Sequence, residues 1–303
     1  MAASSVPRAI GPLDPADAGV TTLDTAADTA AARAADLAAR RADALTRFGP
    51  KTRTRTVADT FILVGASPAS PLLDRAAALI ARAFPRLMDS RFVLPPEAAV
   101  TVLLFDSAPA YAAYCTAHYG EHGADDYGIY RRSTREIVVD LSGGAAFLPT
   151  LTHEIVHPIM ETDFPHDALW LEEGIASLFE APVLTDDGAI HGEPRNWRYE
   201  RLASALASPR ERETTRLDAL FGMSIRSFQA IDAKGNVDKS AQRLHYALAR
   251  SVCAWLDAQG KLWPFYRTWR DHFDEDPTGE HAFQAVMGTT PREANAAWIR
   301  WTR

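Results

Sequence analysis

The chain has 303 residues, 47% hydrophobic and 23% charged, and a net charge of −7. A chain of this size and balance buries a core without staples. Its mild acidity excludes a broad electrostatic footprint for nucleic acid, and the lack of any 18-residue apolar run excludes a membrane-spanning helix. Short basic clusters, Arg53 with Arg55 and Arg131 with Arg132, read as solvated surface charge. Cys115 and Cys253 sit in apolar stretches without CxxC spacing and read as two buried thiols. The start lacks the pattern of a secretion signal, so the chain as it stands is expected in the cytoplasm. A misassigned or trimmed start would instead place it outside. Nothing in the pattern sets an oligomeric state.

Residues 1–56 are rich in Ala, Thr, Asp and Arg. The first twenty are expected to be disordered, and 24–48 to form a peripheral helix with little apolar surface. The folded part is expected from about Asp59. Thr60–Val64 reads as a buried strand, and Leu72–Phe84 has helical spacing. Val100–Phe105 reads as a second strand, and Ser107 as the cap of a helix to about His118. A polar loop over 120–128 follows. Ile129-Tyr130 and Glu136–Asp140 read as paired strands around Arg132-Ser133-Thr134. A helix is expected over 146–160. From about 195 the chain reads as helices, near 196–207, 216–230, 240–258, 261–273 and 278–287. Thr290-Pro291-Arg292-Glu293 then reads as a capping box opening the last helix. Strands first and helices after argue for an α+β fold. The division expected is 1–56 as an N-terminal segment, 57–190 as a catalytic part with a small twisted mixed sheet, and 191–303 as a helical part closing the cleft.

The chemistry lies in His153-Glu154-Ile155-Val156-His157. Two histidines four apart on a helix share a face, one turn apart, so both imidazoles can reach one ion. The adjacent Glu154 can take a proton from metal-activated water and pass it to a leaving amine. A catalytic zinc takes three protein ligands and keeps an open position. Two residues compete for the third place. Glu173 lies sixteen residues after His157, in Trp170-Leu171-Glu172-Glu173-Gly174-Ile175-Ala176, and Asp163 lies six after it. Asp163 requires a tight reversal where Met160 stands instead of glycine, which favours Glu173. Glu172 reads as a solvated neighbour. Pro158 should kink or end the helix nearby, with both histidines ahead of the kink.

These two segments resemble the gluzincin clan of zinc metallopeptidases, in particular its compact peptidase MA-like members. The resemblance spans roughly 58–290, with its specific motifs between 136 and 180. It implies a zincin-like fold holding one Zn2+ on His153, His157 and Glu173, with Glu154 as the water activator. It also implies a peptide or protein substrate pairing with an edge strand, read here as Ile137–Asp140, and an oxyanion donor on a later helix. Tyr246 is the candidate donor and His245 its competitor. Ser177 stands where some members carry an acidic orienter, which leaves Asp140 and Glu180 as alternatives. A His118/His122 pair and the loop residues His166 and Asp167 are weaker candidates. The tryptophans at 255, 263, 269, 298 and 301 read as core. The function expected is zinc-dependent peptide hydrolysis. The alternatives are a zincin-fold binding or scaffold module, and a zinc hydrolase of a non-peptide substrate.

Overall fold

The computed structural model describes residues 17–65, 71–120, 127–180, 182–185, 190–193 and 195–303. The architecture is α+β: a five-stranded mixed sheet, then a mainly helical C-terminal part. In chain order it runs α1 (Asp17–Phe48), β1 (Arg53–Val57), β2 (Phe61–Gly65), α2 (Leu72–Ser90), β3 (Val100–Phe105), α3 (Ala108–Tyr119), β4 (Gly128–Arg131) and β5 (Glu136–Asp140). A 3-10 turn at Gly144–Phe147 leads into α4 (Leu148–Glu154), α5 (Val156–Asp163) and α6 (Leu169–Leu178). A small hairpin, β6 (Pro182–Leu184) and β7 (Ile190–Gly192), precedes the remaining helices. These are α7 (Arg198–Ala207), α8 (Pro209–Arg212), α9 (Leu217–Phe221), α10 (Ile225–Phe228), α11 (Lys239–Ala258), α12 (Leu262–Asp271), α13 (Glu280–Met287) and α14 (Pro291–Thr302).

The sheet order is β1-β2-β3-β5-β4. The three inner strands are parallel and the two outer ones antiparallel. Inner strands are buried on both faces, which is why they read as unbroken apolar runs. Leu63, Val102, Leu104, Ile137 and Val139 face the main core with α2, α4 and the later helices. Val64, Leu103, Phe105 and Val138 face a smaller cluster with Ala44 of α1 and Cys115 of α3. Both cysteines are buried and unbridged. Trp255, Trp263, Trp269 and Trp298 are core residues, with Trp301 packed against them. Among the described residues no helix is long and apolar enough to cross a membrane.

Several boundaries differ from the sequence reading. Residues 1–16, and His122 of the 118/122 pair, lie outside the described residues, and Asp17–Val20 are already helical. Helix α1 is peripheral as expected, but polar groups dock it. Asp36 accepts from Ala99 N at 2.9 Å, and Arg47 meets Glu136 at 2.6 Å. Strand β1 escaped notice because its alternating Arg and Thr are an edge composition, not a core one. Helix α2 continues past Pro85 because Pro85 and Ala81 face solvent, where water can take the freed carbonyl, while Leu87 anchors the next turn in the core. The expected helix over 216–230 is two short ones, α9 and α10. The Thr290 capping box is formed on both sides.

The packing that positions the site is α6 against α11. Glu173 meets Tyr246, and Ser177 O accepts from Arg250 Nε at 3.0 Å, so the two helices run parallel. They touch at Gly174, where a Cβ would lie 2.7 Å from Cys253 Sγ and 2.9 Å from Ala249 O. Backbone cannot yield as a side-chain tip can, so Gly174→Ala must push α6 away from α11. The expected cost is about 1–3 kcal/mol of stability, read by chemical denaturation.

Candidate metal centre

The motif helix breaks inside the motif. Helix α4 ends at Glu154 and α5 starts at Val156, with Ile155 between them. The expectation that both histidines precede the break is corrected: the break falls between them. Pro158 acts one turn upstream, because its ring opposes the carbonyl four residues earlier, that of Glu154. Ile155 keeps right-handed helical angles, φ −71° and ψ −16°. The two histidines therefore still share a face, with ring centroids 5.0 Å apart.

His153, Glu154 and His157 are all buried, and each offers one atom within 4.8 Å of the others. This group could hold a metal ion. Helix α6 brings Glu173 Oε2 to 3.3 Å from His153 Nε2. On the other side of the same carboxylate, Tyr246 Oη of α11 donates to Glu173 Oε1 at 3.1 Å. Glu173 Oε2 is buried and has no hydrogen-bond donor. A buried carboxylate oxygen without a donor is costly unless a cation completes it. That orphaned oxygen, beside His153 Nε2, fits a cation. In this geometry the atoms that close on both histidines are those of Glu154, while Glu173 approaches His153.

Each histidine is steadied from behind by a carboxylate. His157 Nδ1 donates to Glu172 Oε1 at 2.8 Å. His153 Nδ1 lies 3.1 Å from Glu180 Oε1, a close ionic contact rather than an aligned hydrogen bond. Glu180 is itself held by Arg198 and by Asn196 Nδ2 at 3.2 Å. Carboxylates in these places leave Nε2 of both rings for a metal. Of the sequence candidates for this role, Glu180 is brought to the site. Asp140 is not: its carboxylate accepts from Ser142 N at 2.8 Å. Ser177 is buried without a hydrogen bond to its hydroxyl. Glu172, read as merely solvated, instead orients His157. The neighbouring Glu-Glu pair carried that signal, whereas nothing in the sequence pointed to Arg198.

Asp163 is excluded from the site by its partners. Oδ1 accepts from Val93 N at 2.9 Å and Leu94 N at 2.7 Å, and Oδ2 from Tyr266 Oη at 2.8 Å and Arg270 Nη1 at 3.3 Å. His245 turns away and bonds Phe228 O at 2.8 Å, so Tyr246 alone of that pair reaches the cleft. His166 stacks on Phe273 with centroids 4.3 Å apart, while Asp167 lines the cleft.

The cleft over this cluster holds about 1150 Å3. One wall is strand β4, not β5. Strand β5 lies between β3 and β4, so the edge assignment made from Ile137–Asp140 is corrected to Gly128–Arg131. Asp140 N bonds Tyr127 O at 2.8 Å, so antiparallel alternation turns the N–H and C=O of Gly128 and Tyr130 outward. A Cβ on Gly128 would lie 2.7 Å from Glu154 Oε1. Glycine there lets the edge pass directly beside that carboxylate. Arg132 is a cleft residue rather than idle surface charge and pairs with Glu172 at 3.1 Å, while the Arg131 guanidinium lies 4.5 Å from the Tyr119 ring centroid, away from the site.

Burial pulls the His153 pKa down, but Glu173, Glu180 and Glu154 raise it to about 10. Burial likewise opposes the charge on His157, and Glu172 and Glu173 overcome it. Burial raises Glu173, yet the two histidines and Tyr246 hold it below the usual range. Glu180 falls to about 2 because Arg198 and His153 outweigh its burial. The carboxylates thus require positive charge at the imidazoles, from protons or from a metal.

No family model matches the chain, and no curated protein matches it significantly.

Two measurements test the centre. Glu173→Ala should purify without metal. Asp163→Ala should keep it while losing about 3 kcal/mol of stability, since it strands buried donors. Metal analysis and denaturation of both proteins decide this. The second concerns pH. A histidine raised from 6.5 to about 10 stabilises the metal-free fold fully below pH 6.5 and loses that effect as pH rises toward 10. A metal replaces those protons. The rise in Tm on adding Zn2+ to chelator-treated protein should therefore grow from pH 6 to pH 9.

Proposed function

We propose that the chain is a zinc-dependent peptide hydrolase of the gluzincin type. The observation that carries this reading is the convergence of three helices on one spot. Helices α4 and α5 bring His153, Glu154 and His157, and α6 brings Glu173 with its orphaned oxygen. His153, His157 and Glu173 would hold the ion, which leaves Glu154 for proton transfer. When bound, zinc supplies a Lewis acid that polarises a carbonyl and acidifies water.

The remaining roles belong to the chain. Glu154 lies 4.0 Å from His157 Nε2 and beside the outward main chain of Gly128. From there it can take a proton from water and deliver it to the leaving amine. An extended peptide can add to the open edge of β4 through main-chain hydrogen bonds. This favours a peptide over a compact substrate, since the edge offers a ladder rather than an enclosed pocket. Tyr246 Oη, now bonded to Glu173, would turn its proton to the carbonyl oxygen as charge develops there. Gln229 Nε2 lies 3.4 Å from the same hydroxyl and steadies it.

Glu154→Gln is the decisive variant. It should keep zinc and lose at least about 100-fold in kcat/KM on a peptide library. Loss of zinc from this variant would make Glu154 a ligand rather than a base. Absence of any cleavage by the zinc-loaded wild type would leave a binding module.

A further inference from the structure

The cleft is electrically lopsided in a way that hydrolysis itself does not need. Strand β4 runs along it from Tyr127, past Gly128 at Glu154 and Tyr130 beside His157, to Arg132 at Glu172. Because α6 and α11 run parallel, their N-terminal turns lie at the Arg132 end. On α11, Lys239, Gln242, Arg243 and Tyr246 recur at helical spacing and all face the cleft. Among the described residues this end lines the cleft with the side chains of Arg132, Lys239 and Arg243 and with the carboxylates of Asp167 and Glu172, in a chain whose net charge is −7. Glu172 is already shared between His157 and Arg132. Arg243 is exposed, and no ion pair or hydrogen bond among the described residues engages it. At the other end stand two exposed aromatics, Tyr127 and Trp197, and the guanidinium of Arg198 there is committed to Glu180.

We propose that the Arg132–Arg243 end is a subsite for an acidic side chain, so that the preferred peptides carry Asp or Glu close to the scissile bond, on one side of it only. This rests on the peptide-hydrolase reading. The reach follows from helix geometry. Along α11, Arg243 lies about 4.5 Å and Lys239 roughly 10 Å from Tyr246. An extended peptide advances about 3.3 Å per residue, so the subsite serves the first to third residue from the cut. Arg243 is the principal contact, and its guanidinium can take a carboxylate through two parallel hydrogen bonds. Among the described residues the aromatic end lines the cleft with no cation besides Arg198, which Glu180 holds.

The test uses matched fluorogenic peptides carrying Asp, Glu or Gln at each of the three positions on either side of one cleavable bond. Wild-type zinc enzyme should favour the acidic member by roughly fivefold in kcat/KM at one side, less at high salt. Arg243→Lys should retain the preference, Arg243→Ala should lose it, and Arg243→Glu should turn it toward basic peptides. The same peptides are titrated onto Glu154→Gln, where binding is read without turnover. Cleavage or binding with no acidic preference overturns the subsite and leaves the hydrolase standing. Acid-selective binding without cleavage by the wild type overturns the hydrolase and leaves the subsite. A preference that Arg243→Glu does not alter also overturns the assignment.

Discussion

The constraint on which this structure turns is the crowding of negative charge behind two imidazoles. Glu154, Glu172, Glu173 and Glu180 all lie within reach of His153 and His157. Four carboxylates in a mostly buried cluster cannot stand without compensation, since each uncompensated buried charge costs several kcal/mol. Arg198 answers Glu180 and Arg132 answers Glu172, which leaves two negative charges unanswered. Two protons on the histidines balance them, and so does one divalent cation with both rings neutral. The second state is the one a hydrolase needs, and the first is how the metal-free fold survives. The same crowding explains why the histidines titrate high although burial pulls them down.

Holding that cluster requires separate elements to meet accurately. The contact of Gly174 with α11 sets how close Glu173 comes to Tyr246, because parallel helices in contact fix both the distance and the register. Pro158 adds a break between the two histidines, yet Ile155 stays helical and the rings remain neighbours. A helix can lose one hydrogen bond there because the next turn, with Ile159 and Met160, is anchored in the core. Arg198 ties the two halves together. It grips Glu180 behind His153, and its guanidinium lies 5.4 Å from the Tyr246 ring centroid.

What was legible in the sequence follows from range. His153, Glu154 and His157 share one helical turn, so spacing alone placed them. The inner strands were legible because burial on both faces leaves an apolar run. Strand β1 was not, because an edge carries Arg and Thr. The identity of the cleft edge was also hidden: β4 and β5 pair with each other, and which of them lies outermost depends on β3, some thirty residues earlier in the chain. Arg198, Gln229 and the cationic face of α11 reach the site only through packing, so no local pattern announces them.

Asp163 and Glu173 show how such choices are settled physically. Both are buried carboxylates near the motif, 1% and 8% exposed, and burial does not separate them. Satisfaction does. Asp163 takes four donors from a loop and from α12, so both oxygens are filled, and a metal would have to displace bonds that hold the fold. Glu173 has one donor, Tyr246, on one oxygen and none on the other. A fold that leaves a buried acceptor open 3.3 Å from His153 Nε2 carries a cost that a proton on that imidazole or a bound cation offsets. Unfilled valence at a buried polar atom, rather than depth or spacing, separates a carboxylate that serves the scaffold from one left open to a cation.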